Sequence, residues 1–183
     1  MKYKIKDPVM LGALAGITGS IAKELFEELL MKKGWNTSDG VQMAYQVFGE
    51  RKFTNKPLCK LVGNLANCGI GTGLGMPIMF LLSLTGKDYA LLKGATLGHL
   101  AWVYFYGGMN RVRMSKRFPL PLKSDLTACF AHMIYGITTA AVIKALGHDS
   151  LFTQARIMDK ATQQETKKKV VFRYRKGKYY LQN

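Results

Sequence analysis

The chain has 183 residues, a hydrophobic fraction of 48% and a formal net charge of +16. That length suits one domain, and three cysteines (Cys59, Cys68 and Cys129) without C-x-x-C spacing give neither a disulfide framework nor a cysteine zinc site. In a soluble protein such a basic excess would point to nucleic acid. Here the apolar residues fall in blocks and the charges gather between them, so the excess reads first as attraction to anionic lipid headgroups.

The first block runs from about Pro8 to Met31 and reads as a retained helix, with Pro8 in its first turn. Gly12, Gly16 and Ser20 recur every four residues and form a smooth stripe that lets another helix approach closely. Lys23, Glu24, Glu27 and Glu28 then interrupt the apolar pattern, and Lys23 and Glu27 have the i,i+4 spacing of a helical ion pair. Two readings compete. The favoured one lets this half leave the bilayer, because charges in the hydrocarbon core are costly. The other turns the carboxylates into a polar cavity within a bundle.

Residues 32–60 form a polar connection in which Ser38 caps a short helix carrying Val41, Tyr45 and Phe48. Leu61–Gly86 contains no charged residue and is long enough to cross a hydrocarbon core of about 30 Å. Asn64 and Asn67 share one side of it. Its GIGTGLG run alternates Gly69, Gly71, Gly73 and Gly75 ahead of Pro77. The run lacks the Lys-Ser/Thr of a phosphate loop and the dinucleotide-binding spacing. It reads instead as a G-x-x-x-G packing contact at Gly71 and Gly75, with a kink at Pro77.

A tight connection at 85–88 leads to a third block, about Tyr89 to Gly108, with a small-residue stripe at Gly94 and Gly98 and a histidine, His99, near its middle. Its far end carries Trp102, Tyr104, Phe105 and Tyr106, which suit a membrane interface. A basic connection containing Arg111, Arg113, Lys116 and Arg117 precedes the fourth block, about Ser124 to Leu146, which holds His132. His99 and His132 lie on neighbouring antiparallel segments. A neutral, hydrogen-bonded histidine is the plain reading of each; proton relay and haem ligation are the sharper ones. After Gly147 the chain is polar. It ends in an alternating basic and aromatic stretch that reads as a β-hairpin or extended tail, with Arg173, Arg175, Lys176 and Lys178 placed to meet lipid or a partner.

The glycine-striped first helix ending in Lys23-Glu24, and the His132-x-x-Tyr135-Gly136 pattern, resemble small four-helix bacterial inner-membrane proteins of the YqhR or YagU kind. The resemblance covers about residues 8–146 and implies an integral inner-membrane protein without implying an activity.

The expected fold is an all-α membrane protein: a bundle of four transmembrane helices, the first only partly inserted in the favoured reading, with a basic C-terminal extension. Residues 1–146 form the membrane domain and 147–183 the tail. The sequence offers no catalytic set, no metal site and no cofactor. It points to a non-enzymatic scaffold or accessory subunit that binds the lipid membrane, its anionic headgroups and other membrane subunits or further copies of itself, with nucleic acid the weaker partner. The alternative is a small oligomeric transporter or channel, its path lined by Glu24, Glu27, Asn64, Asn67, His99 and His132. The expected location is the inner (plasma) membrane, multi-pass, with the tail in the cytoplasm.

Overall fold

The computed structural model describes residues 4–35, 56–111 and 120–152, with residues 157, 164 and 165. The surface helix expected near Val41, the basic connection at 112–119 and the tail residues Arg173, Arg175, Lys176 and Lys178 lie outside the described residues. The described chain is helical; its one β feature is an isolated bridge between Ile5 and Gly147.

Helix α1 spans Pro8–Lys32. Asp7 starts it, its carboxylate accepting from the Met10 amide at 2.7 Å, and Pro8 takes the first position, where its missing N–H costs nothing. Gly34 ends it at φ +70°, with the Gly34 and Trp35 amides donating back to Met31 and Leu30 carbonyls at 3.0 Å each. These two bonds satisfy carbonyls that the last turn leaves open. Helix α2 spans Lys56–Thr85 and carries Pro77 inside it, so the Gly73 carbonyl loses its usual backbone donor. A turn with Gly86 at φ +83° leads into α3, Ala90–Trp102. Helix α4 spans Leu122–Leu146, and a 3₁₀ turn at Asp149–Phe152 follows.

The third block is not a uniform α-helix. It widens into a π-helical turn over Val103–Gly107 before a last α-turn at Gly108–Arg111. The buried positions run Gly94, Gly98, Ala101 and then Tyr106. The five-residue step to Tyr106 is what one extra residue in the turn produces, and it brings the Tyr106 ring to the α4 side.

Two close helix pairs, α1 with α2 and α3 with α4, are joined by α1 against α4. All three seams are built from small residues. A Cβ at Gly75 would meet the backbone of Gly16 at 2.9 Å, and one at Gly16 would meet the Gly71 carbonyl carbon at 3.0 Å. A Cβ at Gly98 would sit 2.9 Å from the carbonyl carbon of His132, and one at Gly136 would sit 2.7 Å from that of Gly94. Between α1 and α4, a Cβ at Gly19 would be 2.8 Å from the Tyr135 carbonyl oxygen. Gly12, Gly16, Ser20, Gly71, Gly75, Gly94 and Gly98 thus pack helices within this one chain. Helices α2 and α3 are consecutive, yet an apolar crevice of about 210 Å³ lies between them, lined by Leu74, Pro77, Leu97 and Tyr104 among others.

At the helix seams, residue size runs the opposite way to that of a soluble bundle. Helix α1 buries Gly12, Ala15, Gly16, Gly19 and Ser20, and exposes Met10, Leu14, Ile17, Ile21, Leu25 and Leu29. Helix α4 buries Ala128, Ala131, Gly136 and Ala140, and exposes Leu126, Phe130 and Ile137. Large apolar side chains exposed over whole helix faces mark a surface made for an apolar surrounding. Small residues at the seams are how helices associate when no hydrophobic force separates inside from outside. Three helices, α1, α2 and α4, are long and apolar enough to cross a membrane. The helical run from Ala90 to Arg111 is broken by the π turn but still extends about 33 Å at 1.5 Å per residue.

Candidate functional site: a polar half inside the bundle

The interior divides along its length. Towards the end where Ile5 pairs with Gly147, Leu11, Ala15, Ile78, Met79, Leu82, Ala90 and Ile143 pack into an apolar core. That end is closed by local pairing. The Ile5 amide donates to the Leu146 carbonyl at 2.8 Å, and the His148 amide to the Ile5 carbonyl at 2.9 Å. Lys87 reaches Asp149 at 2.7 Å, and Phe152 is buried below it. Lys93 donates to the Thr85 and Gly86 carbonyls at 3.1 Å each, satisfying the open end of α2.

Towards the opposite end, where α1 ends and α2 begins, the interior is polar. Lys23 and Glu27 are 5% and 1% exposed and form an ion pair at 3.1 Å along α1. Both side chains turn inward, the placement that the second sequence reading, with carboxylates facing the interior of a bundle, expects for Glu27. The reason is geometric. Lys23 and Glu27 continue the stripe of Gly12, Gly16 and Ser20–Gly19 that faces α2 and α4, while Ile21, Leu25 and Leu29 continue the outer face. Glu28 points outward and pairs with Lys32 at 3.2 Å.

Glu24 accepts a hydrogen bond from the Asn67 side-chain amide, tying α1 to α2. Asn64, three residues earlier on α2, is half-buried. Ser124, Thr127 and His132 are buried on α4. The His132 Nδ1 lies 2.8 Å from the Ala128 carbonyl oxygen. A carbonyl only accepts, so Nδ1 carries the ring proton and Nε2 is the basic nitrogen. The Tyr106 ring stands edge-on to this imidazole at 5.4 Å, placed there by the π turn.

His99 is elsewhere. Leu97 and Ala101 line the crevice on the α2 side. Two residues along a helix turn by about 200°, so His99 faces the opposite edge of the α3–α4 seam. There its Nδ1 lies 3.3 Å from Cys129 Sγ, and its ring stacks on Trp102 at 5.4 Å. The two histidines thus make separate contacts, and the reading that pairs them through one haem iron has no geometry to rest on. Among the described residues no three His, Cys, Asp or Glu side chains converge as metal ligands would.

Tyr135 marks the border between the two halves. Its buried hydroxyl donates to the Gly71 carbonyl at 2.6 Å, crossing from α4 to α2. No family model, curated protein or solved structure matches this chain. The polar half itself therefore carries the functional reading.

Of the residues singled out from sequence, the structure brings Glu24, Glu27, Asn67 and His132 to one half of the interior, leaves Asn64 at its margin and sets His99 on another edge. The sequence shows Lys23 only as a pairing partner, sets Tyr106 in an aromatic cluster suited to a membrane interface where the structure buries it against His132, and gives Gly19 no role. The spacing of Gly19 from Gly12 and Gly16 was the available signal for that glycine. Tyr106 had none, because the π turn that directs it is not encoded by any periodic pattern.

Proposed function

We propose that this chain is an integral, multi-pass protein of the inner membrane with four crossings, and that it works as a small oligomeric transporter or channel. The buried Lys23–Glu27 pair carries the reading. Ionisable groups inside membrane helices are costly to retain, and they mark ion and substrate paths. The outward stripe of α1 supports full insertion: from Val9 to Leu29 it extends about 30 Å, the thickness of the hydrocarbon core. The path would be lined by Glu24, Glu27, Asn67 and His132, with Asn64 at its margin and His99 contributing from the seam. Reconstitution of the whole protein in vesicles, with cation fluxes measured in turn, tests this. Ion fluxes no larger than those of protein-free vesicles would refute it.

A second reading is a non-enzymatic scaffold or accessory subunit, and one observation favours it. The glycine stripes at Gly16, Gly75 and Gly98 are occupied within the chain, but Gly69 and Gly73 lie on the outer face of α2 with nothing within 4 Å. In this reading that face and the tail residues Arg173, Arg175, Lys176 and Lys178 meet other subunits and anionic headgroups. Purification from membranes in a mild detergent separates the readings. A stoichiometric second protein favours the subunit, and a homo-oligomer recovered alone favours the transporter. The tail is assigned to the cytoplasm, which a reporter fused after Asn183 would check.

A further inference from the structure

We propose that the crevice between α2 and α3 holds one acyl chain of an anionic phospholipid, with the lipid phosphate at Lys60 and Arg111. The proposal rests on the membrane reading and not on transport. The crevice follows from where the small residues lie. Helix α2 turns Gly71 and Gly75 to α1, and α3 turns Gly94 and Gly98 to α4. The sides of α2 and α3 that face each other are left with large side chains, Leu74 against Leu97, and a slot of about 210 Å³ between them. Ile78 and Tyr135 are buried at its floor, while Leu100 and Tyr104 are exposed at its rim, so it opens sideways. The Tyr135 hydroxyl already donates to the Gly71 carbonyl, so this floor offers water no free side-chain partner. An apolar cavity without polar partners stays dry, and in a bilayer the material that fills it is hydrocarbon.

Depth, width and charge select the occupant. Counted along the helical run at 1.5 Å per residue, Tyr104 lies about 10 Å and Leu97 about 21 Å from Arg111. Half a hydrocarbon core is about 15 Å deep, so the slot covers the depth reached by the chains of one leaflet whose headgroups lie level with Arg111. An α-helix with its side chains is about 10 Å across, too wide for a slot of this volume, which excludes the helix of a second copy. Lys60 stands near the start of α2 and Arg111 at the end of the α3 run, so both cations lie at the same end of the bundle. Both are exposed. Neither the 56–85 stretch nor the 90–111 stretch contains an acidic residue. Lys93, the cation at the other end of the slot, is spent on the Thr85 and Gly86 carbonyls. Two exposed cations above an apolar slot complement a negative headgroup carried on a hydrocarbon chain, and long basic side chains reach along a helix to the headgroup layer.

The test uses the full chain in maltoside micelles with phosphatidylglycerol that carries a photoreactive diazirine in one acyl chain. Illumination, digestion and mass spectrometry map the labelled residues. Label is expected to concentrate on residues 74–78 and 97–105. Unlabelled phosphatidylglycerol is expected to displace it at about tenfold lower concentration than phosphatidylcholine, as two cations at the headgroup imply. Leu97→Trp fills the slot and is expected to abolish label on 74–78, while Leu92→Trp, on the exposed face of the same helix, leaves it unchanged. The surface double variant K60Q/R111Q is expected to bring the two competitors within about twofold of each other, and it tests the site even where Leu97→Trp fails to fold. Label spread evenly over the exposed faces of all helices, or unchanged in Leu97→Trp, would overturn the slot and leave the membrane reading standing. Equal competition by phosphatidylcholine, or an unchanged preference in K60Q/R111Q, would overturn the headgroup assignment. A homodimer in which 97–105 goes unlabelled would give the slot to a second copy and overturn the lipid. No label on any helix would overturn the membrane reading as well.

Discussion

Four alanine substitutions in the single run Gly69–Gly75 separate the helix seams from the outer surface. Gly71 and Gly75 face α1; Gly69 and Gly73 face away, with nothing within 4 Å of the space a Cβ would fill. At Gly75 the added carbon would meet the Gly12 carbonyl oxygen, with Gly16 Cα at 2.9 Å and Gly16 N at 3.0 Å. All of these are backbone atoms, so α1 and α2 must separate as bodies. Overpacking by one carbon costs about 1–3 kcal/mol, and the upper end applies where no side chain is free to give way. At Gly71 the first obstacle is the Ser20 hydroxyl, with its Cβ at 3.1 Å, and a rotation relieves part of the clash. Gly71→Ala is therefore expected to cost about 1–2 kcal/mol, less than Gly75→Ala. Gly69→Ala and Gly73→Ala meet no obstacle and gain helix propensity, so they are expected to be neutral or to stabilise by up to about 1 kcal/mol. Unfolding in mixed micelles by increasing dodecyl sulfate, followed by circular dichroism, gives the four values. A loss at Gly69 or Gly73 as large as that at Gly75 would refute this packing of α1 on α2.

The buried ion pair gives a second expectation. Glu27→Ala leaves the Lys23 ammonium buried without its counter-ion and should cost about 3–5 kcal/mol, while K23M/E27L should lie near wild type in the same unfolding titration. Tyr135→Phe removes the hydroxyl that donates to Gly71 and should cost about 0.5–1.5 kcal/mol, without altering helix content measured by circular dichroism.

Much of the helical layout was legible because the apolar blocks and the breaks between them are long. The facing of each helix was harder to read, and α4 shows why. Its buried residues include Ala131, Gly136 and Ala140, and its exposed ones Leu126, Phe130 and Ile137, so hydropathy barely distinguishes inside from outside. In such a chain the pattern that orients a helix is residue size, and Gly12, Gly16 and Ser20 were readable on that basis. The same pattern leaves the alternating run Gly69–Gly75 ambiguous, since two opposite stripes of glycine fit it equally well. The inward turn of Lys23 and Glu27 was the less favoured of two readings because burial was weighed as the cost of single charges, whereas the two sit one helical turn apart and neutralise each other. The placing of Tyr106 depends on a π turn, and the separate environments of His99 and His132 depend on which edge of the α3–α4 seam each occupies. Neither is a property of local spacing.

The Lys23–Glu27 pair also bears on how the protein is made. The first helix leaves the ribosome long before α2 supplies Asn67 or α4 supplies His132, so its charged half has no tertiary partner when it meets the insertion machinery. Both members of the ion pair belong to α1 itself, one turn apart. A hydrogen-bonded pair of zero net charge can therefore form inside the nascent helix, lowering the cost of entering lipid as separate charges. Moving the carboxylate from Glu27 to a helix made later would keep the finished interior similar and would deprive the emerging segment of its internal counter-ion. On the proposed four-crossing reading, the arrangement ties the order of synthesis to the chemistry of the interior: the first helix would bring its own neutral pair into the bilayer, and the helices that follow would close around it.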